Sequence, residues 1–186
     1  GGTCLNRGCI PTKTYLKHTE LIKELKRMDE FGIMVDGYSI DWNKMRERKN
    51  GVVKKLTGGI RALFKKNGVE LIKGLGTVLN EHEISVSGES EEKIWAENII
   101  IATGSAPIVP GLKGMDLDGV ITSREALDLD QLPEDIVIIG GGVIGVEMAS
   151  IYSSLGVEVS IVEILSDILV NFDQEMVKEL KKTLVD

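Results

Sequence analysis

The sequence lacks any apolar run long enough to cross a membrane: its longest, residues 136–146, has 11 residues, four of them glycine. It also lacks an excess of basic residues, and its net charge of −7 argues against binding to nucleic acid. An initiating methionine is missing, as is the charged start and apolar stretch of a signal peptide. We therefore expect a cytoplasmic protein with no membrane or nucleic-acid partner, of which this chain is an internal fragment truncated at both ends.

Cysteine is scarce as well, and both cysteines, Cys4 and Cys9, lie in the opening segment GGTCLNRGCIPTK. Helical residues five apart have Cα atoms about 8.6 Å apart, whereas a disulfide needs roughly 4.4–6.8 Å. The two cysteines can bridge only if the first helical turn is distorted, which Gly8 makes easier. A disulfide that closes so short a loop adds little to the stability of a fold. Lys13 and a nearby helix start would lower the pKa of a cysteine thiol. The pattern favours a disulfide that opens and closes.

Two other interpretations of the cysteines stay open at this point. A metal pair would need further ligands, and His18 and His82 are not spaced to supply them, so no metal site is expected. Alternatively, the cysteines are inert core residues of a non-catalytic module. We interpret both histidines as ordinary surface residues.

Two helices are expected in the first third of the chain. Apolar residues recur at helical spacing from residue 12 to about residue 28. A second helix is predicted from Asp41, its N-cap, to Lys66, and Asn67-Gly68 should end it. Its buried face should consist of Met45, Val52, Leu56, Ile60, Leu63 and Phe64.

Short β-type runs follow over residues 69–79, 83–88 and 93–105, and turn residues separate them. They predict an antiparallel meander that leads into one buried strand. Residues 106–114 contain two of the four prolines and are typical of a crossover between domains. We expect two partial domains, 1–105 and 134–186, joined by residues 106–133.

Glycine is abundant, with 21 residues in short clusters, and one cluster lies inside a predicted strand–turn–helix–strand unit of a parallel sheet at residues 135–163. Gly140 allows the tight turn, Gly142 lets a pyrophosphate approach the backbone, and Gly145 lets the helix pack close to the strand. Glu163 ends the second strand, where a carboxylate accepts from ribose hydroxyls and repels a 2′-phosphate. The pattern favours NAD over NADP; the alternative is a glycine turn that only shapes the sheet.

These segments together resemble a known family. GGTCLNRGCIPTK is similar to the redox-active segment of the pyridine nucleotide–disulfide oxidoreductases, and its details are most similar to the dihydrolipoamide dehydrogenases. The resemblance continues through LTGGI (56–60), IIIATGSAP (99–107) and IVIIGGGVIGVEMASIYSSLG (136–156). It implies an α/β fold made of partial FAD/NAD(P)-binding, Rossmann-like three-layer domains with an antiparallel meander. Arg7 departs from the apolar residue that many members carry there.

The resemblance also implies residue roles. Cys4 would be the interchange thiol, Cys9 the charge-transfer thiolate beside the flavin, and Lys13 would lie near the flavin N5 and pair with Glu147. Without the resemblance, Lys13 and Glu147 are two solvated surface charges. Contacts to FAD are implied for Gly1, Gly2, Thr3, Cys4, Lys13, Gly76, Thr103, Gly104 and Ser105. Contacts to NAD are implied for Gly140, Gly141, Gly142, Val143 (the gating position beside the flavin ring), Ile144, Gly145, Val146, Glu147 and Glu163.

The reaction implied is oxidation of protein-bound dihydrolipoamide through the Cys4–Cys9 disulfide and FAD, with reduction of NAD⁺. The implied partners are a second copy in a homodimer and the lipoyl domains of 2-oxo acid dehydrogenase complexes or of the glycine cleavage system. The chain lacks the family's first βαβ unit, the dimerisation domain and that domain's His-Glu base, so alone it should be inactive. The alternatives are a mercuric reductase or another disulfide reductase; Glu163 counts against a glutathione reductase.

Overall fold

A computed structural model of the chain describes residues 2–88 and 91–185. The helices are α1 (Thr3–Arg7), α2 (Cys9–Lys26), α3 (Trp42–Lys66), α4 (Ser123–Ala126), α5 (Val143–Ser154) and α6 (Gln174–Val185), with a 3-10 turn at Met28–Phe31. The strands are β1 (Gly74–Val78), β2 (Glu83–Gly88), β3 (Glu92–Trp95), β4 (Asp135–Ile139) and β5 (Glu158–Val162). None of the helices formed by these residues is long and apolar enough for a membrane span.

The chain divides into two compact units, one of Gly1–Lys55 with Pro107–Asp186 and the other of Leu56–Ala106. The first unit contains the redox segment and a parallel strand pair; the second contains the antiparallel strands. The domain boundaries expected from the sequence stay a prediction. The α/β fold class is confirmed.

The boundaries of α3 confirm the expected cap and stop. The Asp41 carboxylate accepts the Lys44 N–H at 3.0 Å, which satisfies one of the unpaired donors of the first turn. Gly68 takes a left-handed backbone, φ 66°, directly after the helix. Asp41 and Asn67-Gly68 therefore act as the sequence predicts.

The buried face expected for α3 is wrong for its second half. Leu56, Ile60 and Leu63 are exposed, Leu63 to 52%. The described residues of the helix that are buried are instead Trp42 and Lys49. A periodic apolar face becomes buried only where another element packs on it, and the described residues supply none at these three side chains.

The unit Leu56–Ala106 contains the expected meander. β1 pairs with β2 from Gly74↔Gly88 to Val78↔Ile84, and β2 pairs with β3, both antiparallel. The buried strand expected after the meander is wrong: no strand forms over residues 96–105, and Ile100 is 90% exposed. An apolar run becomes a buried strand only when neighbouring strands accept and donate its backbone hydrogen bonds, and none of the described strands pairs with it.

The other unit contains the predicted βαβ motif. β4 and β5 pair in parallel from Asp135↔Glu158 to Ile139↔Val162, and α5 connects them. α2 packs on α5, and the core between them is centred on three side chains that are almost wholly buried: Tyr15, Ile151 and Tyr152. This packing joins the cysteine-bearing helix to the glycine turn that begins α5.

Side chains from three helices donate hydrogen bonds to carbonyl groups at the end of α4 and in the segment after it. Tyr15 and Lys49 both donate to the Leu127 carbonyl, Trp42 donates to the Leu129 carbonyl at 2.9 Å, and Tyr152 donates to the Ala126 carbonyl. Burial raises the pKa of Tyr152 to about 12, so its phenol remains a protonated donor. The network fixes α2, α3 and α5 to one short stretch of chain.

Lys49 is 5% exposed, and its Nζ donates to the Leu127 carbonyl at 2.9 Å and to Asp128 Oδ1 at 2.7 Å. The Lys49→Met substitution leaves both acceptors without that donor, so we expect the free energy of unfolding to fall by about 2 kcal/mol. Urea denaturation measures the change. Lys55→Met, on the exposed side of the same helix, should change it by less than about 0.5 kcal/mol. Equal effects of the two substitutions would contradict the role given to Lys49.

Candidate redox and dinucleotide site

The two cysteines form a disulfide at the break between the first two helices. Cys4 lies on α1, Cys9 begins α2, and their Cα atoms are 4.4 Å apart. Gly8 separates the helices, and a Cβ there would lie 3.3 Å from the Thr3 carbonyl oxygen. A side chain would thus crowd the turn that brings the cysteines together. Both cysteines are exposed, so the bridge is open to thiols.

Lys13 and Glu147 form an ion pair between α2 and α5. Lys13 follows Cys9 by one helical turn, and Glu147 lies in the second turn of α5. The Lys13 side chain is more exposed than that of Glu147, so water screens part of their attraction. The pair nevertheless connects the helix that Cys9 begins to the helix that follows the glycines.

The glycines of the turn after β4 and of the first turn of α5 have the geometry that their spacing predicts. Gly140 has a left-handed backbone, φ 108°. A Cβ on Gly145 would overlap the Gly140 carbonyl oxygen and lie 3.3 Å from Ile138, so only glycine lets α5 approach the strand. A Cβ on Gly142 would meet nothing within 4 Å, which leaves open space at the start of α5.

Gly141 has a steric requirement that the sequence analysis missed. A Cβ at Gly141 would lie 2.7 Å from Ile168 Cγ2. The GxGxxG pattern leaves this position variable, so no signal in the sequence identifies it. The segment after β5 packs directly on the turn.

Among the described residues, the first-turn amides of α5 have no hydrogen-bond acceptor within the helix. The first helical hydrogen bond runs from the Val146 N–H to the Gly142 carbonyl at 3.0 Å, so the preceding amides of the first turn have no acceptor within the helix. The N-cap residue, Gly142, has no side chain that accepts from them. Free amides together with the helix dipole favour a phosphate group at this end.

Glu163 directly follows β5, and its carboxylate already has two backbone partners. One oxygen accepts the Gly141 N–H at 2.7 Å and the other accepts the Leu165 N–H at 2.9 Å. Hydrogen bonds from Leu165 and Gly141 lower the pKa of Glu163, so it is ionised at neutral pH. Each oxygen keeps a lone pair for a ribose hydroxyl. The bond to the glycine turn was not foreseen from the sequence.

The remaining candidate residues are divided between the two units. Gly2 and Thr3 are exposed beside Cys4, and Val143 and Ile144 are exposed at the start of α5. Val146 is buried, so its side chain packs in the core. The unit Leu56–Ala106 contains Gly76, which is in β1, and residues 103–105, which have no regular secondary structure. Gly104 has a left-handed backbone, φ 79°. Gly1 lies outside the described residues.

One of the two histidines differs from its prediction. His18 is half-buried, its Nδ1 has no hydrogen-bond partner among the described residues, and burial lowers its pKa. It faces the interior because it lies on α2 close to the aromatic ring of Tyr15. His82 is exposed, as expected. Within residues 2–88 and 91–185, no group of three His, Cys, Asp or Glu side chains is arranged to hold a metal ion.

The glycine turn, the start of α5 and Glu163 fit a bound dinucleotide. The open space at Gly142 admits a pyrophosphate, the first-turn amides of α5 can donate to it, and Glu163 can accept from a ribose. The residues implied to contact a flavin are spread over both units. Their contacts with FAD therefore stay a prediction.

Comparisons with known proteins agree with these features. A family model described as pyridine nucleotide-disulphide oxidoreductase matches residues 1–186. A dihydrolipoyl dehydrogenase of Acholeplasma laidlawii is 44% identical over 99% of this chain and 55% of its own length. One from Bacillus subtilis is 37% identical over 99% of this chain and 41% of its own length. The chain thus spans about half the length of these curated relatives, or less.

A comparison with solved structures also finds a flavoprotein disulfide reductase. The copper(II) complex of the HOCl-induced flavoprotein disulfide reductase RclA from Escherichia coli, in a cysteine-to-serine mutant, superimposes with a TM-score of 0.83 at 32% identity. The match covers 100% of this chain and 39% of that one. The chain belongs to the pyridine nucleotide-disulphide oxidoreductase family.

Proposed function

We propose that the protein containing this chain is a dihydrolipoyl dehydrogenase, which oxidises protein-bound dihydrolipoamide and reduces NAD⁺. The observation that carries the proposal is the exposed Cys4–Cys9 disulfide, one helical turn from a lysine that is paired to the helix of the dinucleotide turn. The 44% identity to a dihydrolipoyl dehydrogenase supports the choice of substrate.

The roles proposed for the two cysteines follow from their positions on the helices. A substrate thiolate attacks Cys4 Sγ, which breaks the protein disulfide and releases Cys9 as a thiolate. The second substrate thiol then attacks the substrate sulfur of the mixed disulfide and displaces Cys4, so one substrate disulfide forms as the protein disulfide is reduced. Cys9 begins α2 and has Lys13 one turn away, so its thiolate is the one that the protein stabilises. Cys4, on the exposed α1, is the interchange thiol.

FAD would supply the two-electron redox chemistry that connects the thiol pair to NAD⁺. The residues that the resemblance implies for binding FAD are those of segment 1–13 together with Gly76 and Thr103–Ser105. Glu147 pairs with Lys13, the cation that lies one helical turn after Cys9. Toward NAD, the first-turn amides of α5 would hold the pyrophosphate, and Val143 lies at the exposed start of that helix.

The partners proposed are those of the resemblance: a cytoplasmic homodimer whose second copy supplies the His-Glu base, and a lipoyl domain as substrate carrier. The exposure of both cysteines supports a large substrate, because a lipoyl group on a protein must reach the disulfide from outside.

Glu163 should determine the nucleotide preference. In Glu163→Arg, a cation replaces the carboxylate that accepts from ribose hydroxyls, so we expect the ratio of kcat/KM for NADH to that for NADPH to fall at least about tenfold. Steady-state kinetics with both nucleotides measures this ratio. Glu158→Arg, with the same change of charge on an exposed residue of β5, is the matched control. An unaltered ratio in Glu163→Arg would mean that another residue recognises the ribose.

A second candidate is a flavoprotein that reduces another disulfide or a metal ion. The similarity to RclA, whose structure is a copper(II) complex, favours this alternative. The discriminating experiment uses the full-length protein purified with its flavin, and compares dihydrolipoamide with NAD⁺ against glutathione disulfide, Hg²⁺ and Cu²⁺ with NADH. The proposal expects the highest kcat/KM for dihydrolipoamide. It is overturned if one of the other substrates turns over while dihydrolipoamide does not.

A further inference from the structure

Leu169 is the one residue other than glycine that has a positive φ, 51°, among the residues that the structure describes. An L-residue with a side chain disfavours this left-handed conformation because its Cβ approaches the following carbonyl. Such a conformation persists only where surrounding contacts hold it.

The N–H of Leu169 donates to the Gly141 carbonyl at 2.9 Å. The neighbouring residues hold this arrangement: Asp167 accepts the Ile168 N–H at 2.7 Å, and both Asp167 oxygens accept from Lys181 on α6 at 2.9 Å. The Phe172 N–H donates to the Leu169 carbonyl. Hydrogen bonds of the residues before and after Leu169 thus hold its left-handed backbone in place.

Gly141 is consequently held at both of its backbone polar groups. Glu163 accepts its N–H, Leu169 donates to its carbonyl, and Ile168 packs where a Cβ would be. In a trans peptide, the carbonyl of one residue and the N–H of the next point in opposite directions. The bond from Leu169 to the Gly141 carbonyl therefore directs the Gly142 N–H away from the segment after β5.

We propose that Leu169 is a positioning residue for dinucleotide binding: its backbone N–H fixes the Gly141–Gly142 peptide plane so that the Gly142 N–H is presented to the pyrophosphate. The inference rests on the proposed function, because it requires that the glycine turn binds a dinucleotide. It adds a residue that lies outside the glycine motif and acts through its backbone conformation.

The test exploits side chains that differ in their tolerance of a left-handed backbone. Glycine adopts it freely, alanine less so, and β-branched valine least. The apparent dissociation constant equals the intrinsic one divided by the fraction of molecules in the bonded state. In the full-length protein, Leu169→Gly should bind ADP-ribose as well as the unchanged protein does or better. Leu169→Ala should bind ADP-ribose more weakly than Leu169→Gly does. Leu169→Val should bind about tenfold more weakly, or about 1.4 kcal/mol.

Calorimetry with ADP-ribose measures binding without turnover, and thermal unfolding without ligand is measured in parallel. A role limited to side-chain packing predicts the opposite order, since valine keeps the most apolar volume and glycine the least. Steady-state kinetics adds a second readout: KM for NAD⁺ should rise in Leu169→Val while KM for dihydrolipoamide stays within about twofold.

The outcomes separate the two proposals. If the unchanged protein does not bind ADP-ribose, the proposed function fails. If it does bind, and the three variants bind equally or in the order valine, alanine, glycine from tightest to weakest, only the role of Leu169 is overturned. If Leu169→Val does not fold, the pair Leu169→Gly and Leu169→Ala decides, with tighter binding by glycine expected and tighter binding by alanine contradicting the inference.

Discussion

Cys9→Ser in the full-length protein is expected to abolish turnover of dihydrolipoamide with NAD⁺, by about a thousandfold or more. The reason is that the Cys4–Cys9 disulfide is the acceptor that exchanges with the substrate dithiol, and a serine cannot form it. Oxidation of NADH by an artificial acceptor should stay within about twofold, since it requires the flavin and the nucleotide but not the disulfide. Steady-state assays with both acceptors measure the two activities on one preparation.

Cys4→Ser provides the matched control, because it removes the same disulfide and leaves the other thiol. The remaining Cys9 lies at the start of an 18-residue helix with Lys13 one turn away, and its thiolate should form at lower pH than that of Cys4 in Cys9→Ser. The rate of alkylation by iodoacetamide against pH reports the two thiol pKa values. Identical profiles would contradict the assigned roles, and retained dihydrolipoamide turnover in Cys9→Ser would refute the disulfide mechanism.

Gly145→Ala is expected to destabilise the unit that contains the glycine turn by about 3 kcal/mol and to abolish dinucleotide binding. The added Cβ would overlap the Gly140 carbonyl oxygen, which is backbone and cannot move aside as a side chain can. Either α5 must shift away from β4 or the turn must open, and both changes disturb the amides that would hold the pyrophosphate. Thermal unfolding and calorimetry with ADP-ribose measure the two effects.

Gly142→Ala separates binding from folding. Its backbone, φ −75° and ψ −178°, suits any residue, and its Cβ would meet nothing within 4 Å. We therefore expect an unchanged unfolding temperature, and a dissociation constant for ADP-ribose that rises at least about tenfold because the methyl group enters the space for the ligand. Unchanged binding by Gly142→Ala, or a fully stable Gly145→Ala, would contradict the site as described.

The parts of the fold that the sequence predicts well are those set by neighbouring residues. The Asp41 cap and the Asn67-Gly68 stop are short-range hydrogen-bonding and backbone effects, and both occur where expected. The strand–turn–helix–strand motif around Gly140 is equally local, because the glycines are required by contacts within one turn. Local chemistry of this kind leaves a readable pattern in the sequence.

Features that depend on distant partners are missed or wrongly assigned. Ile100 and Leu63 have the apolarity of buried residues but are exposed, because burial depends on elements elsewhere in the fold. The donation from Tyr15 to the Leu127 carbonyl joins residues 112 apart in sequence. No periodic pattern in the sequence predicts a hydrogen bond between residues so far apart.

In the candidate site, too, local features are predictable from the sequence and features that depend on distant contacts are not. The cysteine pair and the glycine motif are recognisable by spacing, and the Lys13–Glu147 pair is found where the resemblance implies it. The bond from the Gly141 N–H to Glu163 and the left-handed Leu169 come from packing of the segment after β5 on the turn. Leucine gives no hint of a positive φ, since the conformation is imposed by its contacts.

The most direct test of the central claim is an anaerobic titration of the full-length, flavin-loaded protein with dihydrolipoamide, followed by absorbance and by trapping of thiols with an alkylating agent. The account predicts that one equivalent opens the disulfide, so that Cys4 and Cys9 both become alkylated, that a long-wavelength charge-transfer absorbance appears, and that NAD⁺ discharges it with formation of NADH. A flavin that is reduced by dihydrolipoamide while Cys4 and Cys9 remain joined, or a disulfide that dihydrolipoamide does not open, would contradict it.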